Sequence, residues 1–211
     1  MDIFEEKDEL QRTEEWFAQR LGKFTASRFG DLMTKGRKKD EIFGGTAISY
    51  MMEVAAEKLT GQRVQIFGAA LDHGNEYESV AREEYEKRTG CEVEELGFCE
   101  ISDYSGGSPD GKVQVEKGTD KLIEIKCPYN TANHLKNVIN QDIDKKYLWQ
   151  MQGCMLATGA TSCDFISFDP RIENEAFRMV IINVPADVAM QQELVERLAL
   201  AKDYLDNILK A

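Results

Sequence analysis

Hydrophobic positions in the first ninety residues recur at helical spacing, and after Gly90 they alternate with polar ones. Thr13 can cap a helix whose first turn carries Glu14 and Glu15, favourable at the positive end of a helix dipole. That helix runs through Trp16 to about Leu21 and stops at Gly22. Thr25-Ala26-Ser27 offers a second cap before a short helix to Met33, and Lys35–Asp40 reads as a charged loop. Thr46–Leu59, ended by Thr60-Gly61, and Ala69–Arg88, ended by Thr89-Gly90, make four helices in all. Glu92–Ile101, Gly111–Glu116 and Lys121–Cys127 alternate as half-buried strands do, with turns at Gly106-Gly107 and Lys117-Gly118-Thr119-Asp120. Lys146–Thr158 reads as a helix ended by Gly159, and Asp164–Phe168 and Phe177–Val184 as two more strands. Ala186–Leu209 closes the chain as an amphipathic helix with Val188, Leu194, Val195, Leu198, Leu205 and Leu209 on its core side. This order predicts an α/β (α+β) fold, a mixed central β-sheet flanked by helices. The 211 residues fit one domain: a mainly helical part to about residue 90, a sheet core over about 91–185, and a C-terminal helix over about 186–211.

Composition narrows the class. Hydrophobic residues at 42% and charged residues at 30% suit a globular protein and not a disordered one. No apolar run approaches the roughly 18 residues of a membrane span, and Met1-Asp2-Ile3-Phe4-Glu5-Glu6 is too acidic for a secretory signal, so a cytoplasmic protein is expected. Cys91, Cys99, Cys127, Cys154 and Cys163 form no CxxC pair, which points to reduced, packed thiols and disfavours a cysteine-only zinc or iron–sulfur site. The two histidines, His73 and His134, are too few for a histidine-based zinc or nucleophile scheme and read as surface or packing residues. Trp16 and Trp149 read as core, and Gly44-Gly45 lacks the Lys-Ser/Thr of a phosphate-binding loop. Glu92, Glu94 and Glu95 read as a solvated strand face.

Net charge argues weakly against nucleic acid. Lys plus Arg number 26 and Asp plus Glu 38, leaving −12, whereas DNA binders carry a basic footprint. The figure is a whole-chain sum, however, and basic runs occur at Lys35-Gly36-Arg37-Lys38-Lys39 and Lys145-Lys146.

The chemistry concentrates in Leu122-Ile123-Glu124-Ile125-Lys126-Cys127-Pro128. Along a strand Ile123, Ile125 and Cys127 face one way, and Glu124 and Lys126 the other. Alone, that pair describes an exposed face with a weak ion pair more readily than a site. Ser108-Pro109-Asp110-Gly111 opens the preceding strand and brings Asp110 toward Glu124. Two carboxylates with a lysine beside them make a hard-oxygen site for a divalent cation, and a cation lowers the proton affinity of a neighbouring lysine. Those are the parts for metal-assisted phosphodiester hydrolysis.

Pro109-Asp110, thirteen residues, then Glu124-Ile125-Lys126 resembles the PD-(D/E)XK nuclease pattern. Further matches resemble its phage lambda exonuclease-like branch, the YqaJ viral recombinase family. They are Arg20-Leu21-Gly22 with Thr25-Ala26-Ser27, Gly74-Asn75-Glu76-Tyr77-Glu78 leading to Ala81-Arg82, Tyr147-Leu148-Trp149-Gln150-Met151-Gln152, and Asp169-Pro170-Arg171. The resemblance covers roughly Trp16 to Val184. It implies that Asp110, Glu124, the backbone carbonyl of Ile125 and Glu78 hold one or two Mg²⁺ or Mn²⁺ ions. It also implies that Lys126 positions or activates the attacking water, with Gln150 near the water or the metals. Arg20 and Ser27 would form a pocket for the terminal 5′-phosphate, and Ser108 would add a contact to the scissile phosphate.

The activity implied is 5′-to-3′ degradation of one strand of linear double-stranded DNA, releasing mononucleotides and leaving a 3′ overhang. The implied setting is the cytoplasm of a bacterial host, from a phage or prophage gene. The partners implied are a ring-shaped homotrimer threaded by DNA and a single-strand annealing protein, with no membrane. A basic inner wall would reconcile such a ring with an acidic exterior, and Lys35 to Lys39 is the sequence's candidate DNA-contacting segment. An endonuclease of restriction or repair type, and a non-catalytic binding module on the same fold, are the alternatives.

Overall fold

The computed structural model describes residues 10–38, 40–64, 68–114 and 120–210. The acidic N-terminal segment Met1 to Glu6, Lys39, the end of the strand at Val115-Glu116 and the turn residues Lys117-Gly118-Thr119 lie outside the described residues.

Helix α1 (Glu14–Arg20) begins as expected, with the Thr13 hydroxyl accepting from the Trp16 N–H and Glu14 and Glu15 in its first turn. The next stretch departs from expectation. Phe24–Thr25 forms a short strand, β1, followed by a 3-10 turn (Ala26–Arg28) and the four-residue helix α2 (Phe29–Leu32). No side chain caps either piece, because Thr25 is drawn into strand pairing instead. Helices α3 (Gly45–Thr60) and α4 (Ala69–Thr89) end on left-handed Gly61 and Gly90, as the Thr-Gly pairs predict.

The sheet region divides in two. β2 (Cys99–Ser102), β3 (Ser105–Gly107) and β1 form a three-stranded sheet in the order β1-β3-β2. β4 (Gly111–Gln114), β5 (Asp120–Lys126), β6 (Ser162–Phe168) and β7 (Met179–Pro185) form a four-stranded one in that order, with β5 and β6 parallel and the outer pairs antiparallel. The mixed α/β fold expected from the element order is present, but the strand expected over Glu92–Ile101 is not continuous. Its first half makes one bridge, Glu94 to Lys112. Gly106-Gly107 is no turn. Both are buried in β3, where a Cβ on Gly107 would lie 2.7 Å from Ala26 Cβ and 2.9 Å from Cys154 Sγ. Glycine here serves close approach, which a local reading takes for a bend.

Two helices were not anticipated: α5 (Thr131–Asn140), capped by Asn130, and the four-residue α7 (Glu175–Arg178). Between them lies α6 (Lys145–Thr158), and α8 (Val188–Lys210) closes the chain. The buried side of α8 is Leu194, Arg197, Leu198, Ala201 and Leu205, while Val188 and Val195 are exposed. Val195 lies one residue, about 100°, off the seam, and Arg197 fills part of it with its guanidinium bonded to the Ile42 carbonyl. No helix of the described residues is long and apolar enough to cross a membrane.

The four-stranded sheet is covered on both faces. Leu122, Cys163 and Phe165 pack with Phe29, Met151, Met155, Leu194 and Leu198 in one cluster. Ile123, Ile125, Cys127 and Ile166 pack with Ala81 and Tyr85 of α4 in the other. Helix α2 meets α6 at Gly30, where a Cβ would fall 2.7 Å from the Lys146 Cα. Backbone cannot yield as a flexible side chain can. Gly30→Ala is expected to lower stability by about 1–3 kcal/mol, measured as a shifted denaturation midpoint at unchanged slope.

Candidate active site

β4 leaves the ladder at Gly111, which pairs with Ile123. The Ile125 N–H beyond it has no β4 partner, and the Asp110 carboxylate accepts it at 2.7 Å. Asp110 is thereby tied to β5 beside Glu124 and Lys126. Lys126 donates to the Glu124 carboxylate, and its ammonium also lies 5.2 Å from the centre of the Tyr147 ring. Glu124 is 1% exposed. The alternative of an exposed strand face with a weak ion pair is therefore wrong: Glu124 faces the α6 side of the sheet and lies beneath it.

Glu78 comes from the middle of α4, where Arg12 and Arg82 hold it, and Arg82 also donates to the Asp110 carbonyl at 3.2 Å. One open cleft of about 820 Å³ is lined by Glu78, Asp110, Ile125, Lys126, Lys146 and Tyr147, among others. Burial raises the Glu124 carboxyl above its ordinary range, and the negative charge of Asp110 adds to the rise. Glu78 moves the same way for the same two reasons, opposed by Arg12 and Arg82. Burial works against the Lys126 charge, but Glu124 and Asp110 outweigh it and hold the proton above the usual lysine range.

Glu78 and Glu124, both raised in proton affinity by burial and by the charge of Asp110, form with Asp110 a donor set that calls for added positive charge. In the present arrangement each carboxylate faces a donor of the protein: Glu124 faces Lys126, Asp110 faces the Ile125 N–H, and Glu78 faces two arginines. Among the described residues no three His, Cys, Asp or Glu side chains converge closely enough to hold a metal ion. The oxygen donors fit a hard divalent cation in kind, and turning them onto one would exchange these partners for it.

Gln150 is buried on α6, one turn beyond Tyr147 and Lys146, and no hydrogen bond joins it to the three carboxylates among the described residues. Gln152, the second glutamine of that motif, is structural. Its amide donates to the Pro185 carbonyl at 2.9 Å and accepts from the Asp187 N–H at 2.9 Å, at the start of α8.

A second cleft, about 610 Å³, opens between α1 and α3 and includes Trp16, Arg20, Ser27, Arg28, Tyr50 and Arg63 in its lining. The two clefts share Asn75. Arg20 lies over the Trp16 ring at 4.1 Å and donates to the Ser108 hydroxyl at 3.2 Å, and Trp16 donates to the same hydroxyl at 2.9 Å. Burial lowers the Arg20 guanidinium below the usual arginine range. Among the described residues it has no carboxylate within ion-pair distance, whereas Arg28 beside it has both Asp31 and Glu53. An arginine held in a cleft without an anion is suited to receive one. Ser27 is exposed on the same wall, but it sits in the 3-10 turn, not at the N-terminus of a helix of useful length.

Trp16 is thus a cleft wall, not core, while Trp149 is core at 4% exposure. The Trp16–Arg20 spacing of four on α1 was the available signal, since it places both on one helix face. Tyr50 and Arg63 join the site only through tertiary packing and carried none, while Asn75 lies inside the Gly74–Glu78 motif without having been singled out.

Other sequence candidates lie elsewhere. Lys35 pairs with Glu193 at 3.1 Å and Lys38 with Glu41 at 3.5 Å, and no described residue of that loop lines either cleft. His134 is fully buried, bonded to Ser167 at 2.8 Å and the Phe177 carbonyl at 2.7 Å. Glu92 and Glu94 are exposed as expected, but on an irregular segment with one bridge and not on a continuous strand, and Glu94 and Glu95 pair with Lys112 and Arg82.

Comparison with known proteins gives the following. Residues 15–161 match the YqaJ-like viral recombinase domain. No curated protein matches the chain. The crystal structure of an alkaline exonuclease, LHK-Exo, from Laribacter hongkongensis is 36% identical with a TM-score of 0.83, over 94% of this chain and 95% of that one. The structure of LHK-Exo in complex with dAMP gives 36% and 0.84 over the same shares. A phage-related exonuclease from Haemophilus somnus 129PT, 18% identical over 89% of this chain and 95% of that one, shares the fold with a TM-score of 0.75.

Proposed function

The chain belongs to the YqaJ-like viral recombinase domain family and is a homologue of an alkaline exonuclease, and from that premise we propose that it is a metal-dependent 5′-to-3′ exonuclease acting on linear double-stranded DNA. The observation that carries this reading is the bridge at Ser108. Its hydroxyl takes hydrogen bonds from Trp16 and Arg20 in the anion cleft, and two residues on, Asp110 enters the carboxylate cleft. Two residues of extended chain reach at most about 7 Å. A terminal phosphate at Arg20 therefore lies on the order of one nucleotide from the carboxylates, the spacing that releases mononucleotides. The relative solved with dAMP is in keeping with such a product.

In this proposal Asp110, Glu124, the Ile125 carbonyl and Glu78 hold one or two Mg²⁺ or Mn²⁺ ions. When bound, the ions would neutralise charge on the scissile phosphate and make a water more acidic. Lys126 orients that water; once Glu124 and Asp110 share their charge with another cation its hold on its own proton would weaken, and after giving that proton to solvent the free amine would take up the water's proton. Arg20 holds the terminal 5′-phosphate by its planar fork, with Ser27 beside it and Ser108 fixing the guanidinium from behind. Gln150, on the same helix as Tyr147, contacts the water from the α6 side in this reading. The chain acts as one nuclease unit, assembled as a homotrimer threaded by DNA, and leaves 3′ overhangs for an annealing protein in phage-type recombination in a bacterial cytoplasm.

The test uses uniformly radiolabelled, 5′-phosphorylated linear duplex beside the same DNA as a sealed circle, each in Mg²⁺ or EDTA. Acid-soluble mononucleotides are expected from the linear form in Mg²⁺ only. Cutting of the circle would instead support an endonuclease, and binding without cutting of either form a non-catalytic module.

A further inference from the structure

Helix α5 forms one wall of the carboxylate cleft, and its sequence, Thr131-Ala132-Asn133-His134-Leu135-Lys136-Asn137-Val138-Ile139-Asn140, holds no carboxylate. Helix α6, which also borders the cleft through Lys146 and Tyr147, likewise holds none, so both helices present no competing charge to an anionic substrate. Asn133, Lys136, Asn137 and Asn140 stand at positions i, i+3, i+4 and i+7, one face of the helix, and all four line the cleft. Asn133, Lys136 and Asn140 are exposed. Among the described residues Lys136 has no ion-pair partner, in contrast to Lys35 and Lys38.

The helix is pinned along its flank, next to the cleft-lining face. His134 bonds Ser167 and the Phe177 carbonyl, and the Asn137 amide donates to the same Ser167 hydroxyl at 3.1 Å. The turn leading into α5 is fixed too. Arg171 donates to the Tyr129 carbonyl at 2.9 Å and the Pro128 carbonyl at 3.0 Å while gripping Asp169 through two nitrogens, each at 2.8 Å. Burial works against the Asp169 charge, but hydrogen bonds from Arg171 and Thr131 win and hold its carboxyl down at about 2. The helix is therefore held rigidly relative to Lys126, only a few residues upstream.

We propose that α5 is a rail for the substrate: Lys136 neutralises one phosphate of a DNA strand running through the cleft, and Asn133 and Asn140 donate hydrogen bonds to the phosphates on either side. From Asn133 to Asn140 is seven residues, about 10 Å along the helix axis. That is roughly three nucleotides of rise in duplex DNA. Neutral amides suit the flanking positions, since they donate to phosphate without adding charge that would compete with the carboxylates for a cation. The rail rests on the exonuclease reading for its substrate, and it replaces the Lys35–Lys39 loop as the DNA-contacting segment.

The test measures binding without turnover. A 5′-phosphorylated linear duplex with a fluorophore at a 3′ end is titrated in EDTA, and the slope of log affinity against log salt is taken over roughly 50–200 mM. Lys136→Gln is expected to make the slope shallower by about 0.9, the loss of one phosphate contact. Asn133→Ala and Asn140→Ala are expected to weaken binding several-fold at every salt concentration with the slope unchanged. Lys87→Gln, an exposed charge on α4, serves as the charge-matched control and keeps the wild-type slope. A wild-type slope for Lys136→Gln, an equal change for Lys87→Gln, or a change for Lys35→Gln in its place would overturn the rail. Absence of DNA binding by the wild type would overturn it as well. Binding with the expected slopes but no nuclease activity in Mg²⁺ would sustain the rail and remove the exonuclease reading, so the two fail separately.

Discussion

Lys126→Ala is expected to reduce the release of mononucleotides from linear duplex by about 10²–10⁴-fold while leaving DNA affinity within a few-fold of wild type, the range for losing a positioned proton-transfer group. Lys126 is not part of the Arg20 cleft lining, and it is the cation bonded to Glu124. On the proposed mechanism its loss removes the group that handles the water's proton and leaves the proposed phosphate contacts in place. The variant also has a structural cost. Glu124 is 1% exposed and would lose its partner, and breaking one side of a buried pair costs up to about 3–5 kcal/mol. The true figure falls below that, because a buried carboxyl whose proton affinity is already raised takes up a proton and does not remain charged. Lys126→Gln keeps the reach and a hydrogen bond to Glu124, so it separates the two effects. A folded Lys126→Gln variant, judged by its thermal midpoint, that digests linear DNA at the wild-type rate would remove Lys126 from the chemistry.

Arg20→Ala is the second large effect. Wild-type protein is expected to digest 5′-phosphorylated ends faster than 5′-hydroxyl ends. Losing a charge-assisted hydrogen bond to a buried group costs about 1.5–3 kcal/mol, so the variant should lose roughly 10- to 150-fold on phosphorylated ends. On hydroxyl ends the same change should do little, and the preference disappears. Arg20→Lys keeps the charge but not the planar fork, and should recover only part of the preference. The guanidinium also packs on Trp16, which makes a structural contribution possible to detect. An equal fall on both kinds of end would mean that Arg20 merely supports the cleft wall and would sink the pocket assignment.

The elements most legible in the sequence were those whose signals are local. α3, α4 and α6 carry helical periodicity and stop at glycines that adopt a left-handed conformation, and all three lie within two residues of their expected bounds. β5 was legible because Ile123, Ile125 and Cys127 alternate with Glu124 and Lys126. α5 was missed because Pro128, Asn130 and three further asparagines read as loop chemistry, whereas His134 and Asn137 anchor the helix along its flank through contacts some thirty to forty residues away. β3 was missed because two adjacent glycines suggest a turn, while their actual reason is the Cys154 sulfur and Ala26 pressing on that strand.

By itself the sequence determined the mixed α/β class, the family resemblance, and the placing of Asp110, Glu124 and Lys126 at one strand end. These follow from alternation and short spacing, which backbone geometry enforces wherever the chain folds. Only the tertiary structure decided that Glu124 is buried, that Arg20 has no carboxylate partner among the described residues, that Ser108 links the two clefts, and that α5 rather than the Lys35–Lys39 loop borders the carboxylates. The physical reason is that burial and electrostatic pairing depend on which elements are pressed together across the core, and that is set by long-range packing, not by the residues on either side in the chain.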